Sequence, residues 1–105
     1  MGARSRRKGA VGERELAAWL RERGYEARRG QQFSGSPESP DVVCSGVPFH
    51  FECKRTERIR LYDAIAQATA DAGDRIPVVA HRRNRGEWLA VLRLEDLIAL
   101  LRGSS

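Results

Sequence analysis

The chain reads as an α/β protein, a mixed β-sheet flanked by helices with elements in the order α-β-β-β-α-β-β-α. Two apolar stripes at helical spacing point to it: Leu16, Ala17 and Leu20 near the start, and Leu61, Ile65, Ala68 and Ala72 in the middle. Glycines at Gly24 and Gly73 follow each stripe and read as helix stops. Between and after them lie short runs rich in Val, Ile, Phe and Tyr, bounded by Gly, Pro and Ser, which read as strands.

In order, residues 1–9 read as a flexible basic arm and 10–105 as a single domain. The first helix is expected from about Val11 to Arg23, with Trp19 on the flank of its stripe. A short strand follows at Tyr25 to Arg29. Gly30 to Pro40, containing Ser34-Gly35-Ser36-Pro37, reads as a polar loop. Asp41 to Lys54 reads as a hairpin, with Phe49, Phe51 and Cys53 on one face and His50, Glu52 and Lys54 on the other. Leu61 to Ala72 is the second helix, with Gln67 flanking its stripe beside Ala64. Strands at Ile76 to His81 and Trp88 to Arg93 are joined by the basic turn Arg82-Arg83-Asn84-Arg85-Gly86. Trp19 and Trp88 fall in apolar runs and read as core. Leu94 to Arg102 closes the chain as a helix more apolar than one core face requires, which suits packing on another subunit.

At 105 residues and 11.8 kDa the chain can bury a core without cross-links. No apolar run approaches the ~20 residues of a membrane span. The basic start, Met1 to Lys8, has no apolar stretch behind it and does not read as a secretory signal, and Arg6 stands where a myristoylation motif needs Ser or Thr. A cytoplasmic location is expected. Cys44 would face Phe49 in the hairpin while Cys53 falls beyond the partner strand, so the two cysteines read as buried packing rather than a disulfide or zinc site.

The formal charge is +5 with a pI near 10.0. Basic residues cluster at Arg4 to Lys8, at Arg28-Arg29, at Arg55, Arg58 and Arg60, and at Arg82, Arg83 and Arg85. Such clusters suit a polyanion, because each neutralised phosphate releases condensed counterions. A merely solubilising surface is the bland alternative; what favours the first is that the clusters flank an acidic hairpin. Lys8 and Lys54 are the only lysines among 19 basic residues. A compact ammonium can approach a phosphate oxygen or a water where a guanidinium fork cannot.

A turn centred on Gly46-Val47 sets Asp41 directly opposite Glu52, and Lys54 returns to the same face two residues on. Two acids and a lysine on one surface are what Mg²⁺-dependent phosphodiester hydrolysis needs. Glu13 shares the inward face of Leu16, Ala17 and Leu20, and a carboxylate there requires a partner. A metal is one; the helix N-terminus, worth ~0.3–1 kcal/mol, is another. An exposed ion-pair cluster is the alternative for Asp41, Glu52 and Lys54, but it leaves the inward Glu13 unexplained. His50 shares the Glu52 face yet reads as structural, and His81 as a phosphate contact or nothing.

A helical Glu13, the Pro40-Asp41 pair, Glu52-Cys53-Lys54 at the end of a hairpin, and then a Gln67-bearing helix and two strands resemble the PD-(D/E)XK nuclease superfamily. Within it the chain is most similar to archaeal-type and phage-encoded Holliday junction resolvases, over roughly Lys8 to Leu101. Lys8-Gly9 before a helical Glu, and Ser34-Gly35-Ser36 before Pro40-Asp41, follow the resolvase pattern. The resemblance implies a restriction-endonuclease-like fold. It implies that Asp41, Glu52 and the Cys53 carbonyl bind Mg²⁺ or Mn²⁺, with Glu13 reaching the metal directly or through water. Lys54 would position the attacking water or steady the phosphate, and Gln67 would support it.

DNA contacts are expected from Arg6, Arg7, Lys8, Arg29, Ser34, Ser36, Arg55, Arg82, Arg83 and Arg85. The expected partners are a four-way DNA junction and a second copy of the chain, without membrane or small-molecule cofactor. Two other readings stay open: a nicking or end-processing nuclease of the same superfamily with another DNA substrate, and a DNA-binding module that does not cut.

Overall fold

The computed structural model describes residues 2–30 and 41–103. The expected DNA contacts Ser34 and Ser36 lie outside them. The elements run α1 (Gly2–Glu22), β1 (Ala27–Arg29), β2 (Asp41–Cys44), β3 (Phe49–Arg55), α2 (Leu61–Ala72), β4 (Ile76–Arg82), β5 (Leu89–Val91) and α3 (Leu94–Leu101). This is the expected order. The strands form one sheet in sequence order, β1-β2-β3-β4-β5. Neighbours are antiparallel except β3 and β4, which run parallel with α2 as their crossover.

Alternation along the strands sorts the core into two layers. Val42, Cys44, Cys53 and Ala80 pack with Leu16, Ala17 and Leu20 of α1, and Trp19, Phe51 and Trp88 close the edges. Val79, adjacent to Ala80, packs instead with Ala64 and Ala68 of α2. Neighbouring residues on a strand face opposite ways, so α1 covers one side of the sheet and α2 the other. Both tryptophans are partly buried and pack against the core on the α1 side. Cys44 and Cys53 are buried free thiols.

Helix α1 starts at Gly2, well before the expected Val11. Ala3, Arg4, Arg6, Arg7, Lys8 and Ala10 are all strong helix formers, and the intervening Gly9 costs only about 1 kcal/mol. Reading a basic run as a loose arm overlooked that propensity. Farther along, Gly12 lets α1 settle on β3: a Cβ there would stand 2.6 Å from the Arg55 Cβ and 3.2 Å from the Cys53 Sγ. Gly46, with φ of 81°, makes the tight β2–β3 turn that places those strands in register.

Helix α3 is different. None of its residues is buried, and Leu94 and Leu101 are 71% and 74% exposed. Leu89 on the edge strand β5 is likewise exposed. No helix among the described residues is long and apolar enough to cross a membrane.

Candidate active site

The hairpin fixes the geometry. Its register pairs Asp41 with Glu52 and Val42 with Phe51, as the turn position required. Val42, Phe51 and Cys53 belong to the α1 layer, so positions 41, 52 and 54 lie on the α2 side. Glu52 is wholly inaccessible to solvent. The sheet puts it there because β3 is the central strand, with β2 on one side and β4 on the other. A carboxylate in that position is costly unless positive charge or hydrogen-bond donors meet it.

Lys54 stands two residues on. Its Nζ donates to the Oε1 of Gln67 on α2 at 3.3 Å. The strand and the helix thus hold the ammonium between them, and Gln67, marked in the sequence only as flanking a stripe, is its partner. His50, two residues before Glu52, brings Nε2 to 3.4 Å from the Glu52 Oε1. Asp71, one helical turn beyond Gln67, completes a group with His50 and Glu52 whose ligand atoms all lie within 4.8 Å of one another. Sequence reasoning missed Asp71 and read His50 as structural. The i, i+4 step from Gln67 to Asp71 was the available signal, since it puts both on one helix face.

Glu13 approaches from the other layer. It is 4% exposed on α1, and its Oε1 accepts a 2.8 Å hydrogen bond from the Arg29 Nε at the end of β1. The inward acid does have a cationic partner. Glu13 and Glu52 therefore flank the Cys53 position from opposite sides of the sheet. The Cys53 thiol registers this: burial pushes its pKa up to about 12, and the fields of Glu13, Glu15 and Glu52 add to the rise while Lys54 opposes it. An oxygen-rich, negative environment of this kind fits a hard divalent cation.

The basic residues at the ends of β3 and β4 form an ordered framework on the α1 side of the sheet. Glu15 accepts from the Arg55 Nε at 2.9 Å and from the Arg82 Nη1 at 3.1 Å, tying α1 to the ends of the parallel pair β3 and β4. Arg55 also donates to the Asn84 Oδ1 at 3.0 Å, and Arg82 to the Gly86 carbonyl at 2.7 Å. The turn that carries Arg83 and Arg85 is pinned by these bonds, with Arg85 itself at a φ of 62°. Of the residues expected to meet DNA, Arg29, Arg55 and Arg82 thus have intramolecular partners, and Arg83 and Arg85 are exposed on the turn. Arg6, Arg7 and Lys8 lie within α1. His81 is hydrogen-bonded through Nε2 to the Thr56 carbonyl at 2.8 Å.

A family model described as archaeal Holliday junction resolvase (Hjc) matches residues 4–97. The chain belongs to that family. With it comes membership of the PD-(D/E)XK nuclease superfamily, and the five-stranded mixed sheet between helices is the restriction-endonuclease-like fold. No curated protein and no solved structure matches the chain significantly. As a member of a resolvase family the chain is a nuclease by kinship, and divalent metals are general to such nucleases.

Proposed function

We propose that this protein is a divalent-metal-dependent endonuclease that resolves four-way DNA junctions by hydrolysing phosphodiester bonds as a homodimer. The observation that carries the reading is the pairing of Asp41 with Glu52 beside a lysine held by Gln67. A chance surface ion-pair cluster would not bury Glu52 completely. Asp41, Glu52 and the Cys53 carbonyl take Mg²⁺, for which Mn²⁺ substitutes. When bound, the cation supplies an acidified water and offsets charge on the phosphate.

Lys54 holds an ammonium at the position where a water or phosphate oxygen meets Glu52. Gln67 keeps that ammonium from swinging toward solvent. Glu13 lies on the α1 side of the sheet with its Oε1 engaged by Arg29, and we assign it a structural role there rather than one at the metal. Arg83 and Arg85 reach the DNA backbone directly; Arg55 and Arg82, set by Glu15, present fixed rather than wandering charge.

The homodimer rests on α3 and β5. Exposed apolar side chains at Leu89, Leu94, Leu97, Ile98 and Leu101 form a surface of the kind subunits bury. A four-way junction offers symmetry-related strands, which two sites about a two-fold axis would match.

The experiment is incubation of a labelled four-way junction and a matched duplex with the protein, in Mg²⁺ and in EDTA. The proposal expects paired symmetric cuts in the junction, only with Mg²⁺. Equal cutting of both substrates would remove the junction specificity and favour a nicking or end-processing role. Tight metal-independent binding without cutting would leave a DNA-binding module.

A further inference from the structure

The α2 side of the sheet carries a donor that the oxygen-ligand reading does not use. His50, Glu52 and Lys54 form one row along β3, and Gln67 and Asp71 form a facing row along α2. Lys54 and Gln67 close one end. His50, Glu52 and Asp71 close the other, with ligand atoms no more than 4.8 Å apart. Two donors bound to one small cation sit about 3.0–3.4 Å apart when their metal distances are near 2.1 Å. The His50–Glu52 pair at 3.4 Å already meets that spacing. The third donor, on exposed Asp71, lies within 4.8 Å of both.

Three features make this more than a cluster of acids. One donor is an imidazole nitrogen, which Mg²⁺ disfavours and Zn²⁺, Co²⁺ and Mn²⁺ accept. Another is a carboxylate wholly shielded from water, fixed by the central strand rather than waving in solvent. The third is an opening: a pocket bounded by Phe49, Ala72 and Arg75 reaches His50 and Asp71 directly. Arg75 at its rim donates to the Phe49 carbonyl at 3.5 Å.

We propose that His50, Glu52 and Asp71 form a transition-metal site, binding Zn²⁺, Co²⁺ or Mn²⁺ through one nitrogen and two carboxylates and sharing Glu52 with the oxygen-ligand centre. The site goes beyond the nuclease reading, because its donors are in place whether or not the chain cuts DNA. Three protein ligands leave positions open for water, the pattern of a site that exchanges its ion rather than a closed structural one. Sharing Glu52 makes Zn²⁺ a competitor for a carboxylate that Mg²⁺ needs.

The test is titration of the full DNA-free chain with Co²⁺, followed by its visible d–d absorption. The expected result is one saturable band per chain, displaced by Zn²⁺ and lacking the near-ultraviolet charge-transfer intensity of a thiolate ligand. His50→Gln and Asp71→Asn should each weaken Co²⁺ at least tenfold, with folding checked by circular dichroism. Should His50→Gln not fold, Asp71→Asn at its exposed helical position decides alone. Asp41→Asn should keep the band, which separates this site from the nuclease centre. A band unchanged in His50→Gln and Asp71→Asn, a band lost only in Asp41→Asn, or no saturable binding by folded protein would each overturn the site.

Discussion

Lys54 and Gln67 meet across the boundary between β3 and α2, Nζ to Oε1 at 3.3 Å. The pair converts a flexible four-carbon side chain into a charge of fixed position. Lys54→Ala is expected to lower the single-turnover cleavage rate by about 10²–10³-fold, the usual effect of deleting one charge-stabilising group. Junction affinity in a gel-shift assay should change little. Gln67→Ala removes only the positioning bond and should cost about tenfold or less. A larger loss for Gln67 than for Lys54 would invert these roles.

Glu52 has no solvent exposure, so a carboxylate there carries a desolvation cost that a bound cation would help to offset. Glu52→Gln keeps the shape and removes the charge. In EDTA its melting temperature should equal or exceed that of the parent. Mg²⁺ should raise the parent's midpoint and leave the variant's unchanged, because only a ligand bound to the native state stabilises it. Differential scanning calorimetry reads both.

Arg29, an expected DNA contact, also holds the buried Glu13 through its Nε at 2.8 Å. Arg29→Ala removes a charged hydrogen bond from a carboxylate that is 5% exposed and should destabilise by about 1–3 kcal/mol in urea unfolding. Adding Glu13→Gln should restore a large part of that loss. Additive losses would show that the two residues are not coupled.

Both thiols are protonated in the folded state. Burial raises the Cys44 pKa, against the nearby Arg75, and burial with three carboxylate fields takes Cys53 from 9.0 to about 12. Neither should react appreciably with iodoacetamide at pH 8 until the chain unfolds. Between pH 9 and about 12 the unfolded chain has released the Cys53 proton and the folded chain has not. Stability should therefore be fully retained below that window and fall as pH rises through it. Urea midpoints measured across the range check the sign, and Cys53→Ser should flatten the fall.

Leu94, Leu97 and Leu101 of α3 are exposed on a helix that no core residue anchors. Leu97→Glu with Leu101→Glu should give a monomer by sedimentation velocity at a concentration where the parent sediments as a dimer. The variant's circular dichroism should match the parent's. A parent that is monomeric throughout ends the role proposed for this surface.

The element order and the hairpin register were legible because they rest on short-range rules. Apolar spacing marked α1 and α2, and a glycine turn of known position fixed Asp41 opposite Glu52. What stayed hidden was tertiary. Nothing local tells that Arg29 on β1 will reach Glu13, or that one carboxylate at Glu15 will serve both Arg55 and Arg82. Asp71 escaped for a related reason: an acid on a polar helix flank has no local mark, and only the packing of α2 on β3 brings it to His50 and Glu52. The early start of α1 was missed because a run of charge was weighed for solvation rather than for helix propensity.

The short turn from Ser45 to Pro48 carries no chemistry of its own, yet its length is constrained as tightly as any acid in the protein. One added residue there would carry position 41 to the opposite side of the pleat, out of phase with Glu52. Apart from Gly46, held by its positive φ, and Val47, packed on the core, the letters of that connection can change while the count stays frozen. Among descendants of this chain, insertions should collect in other loops and spare this one.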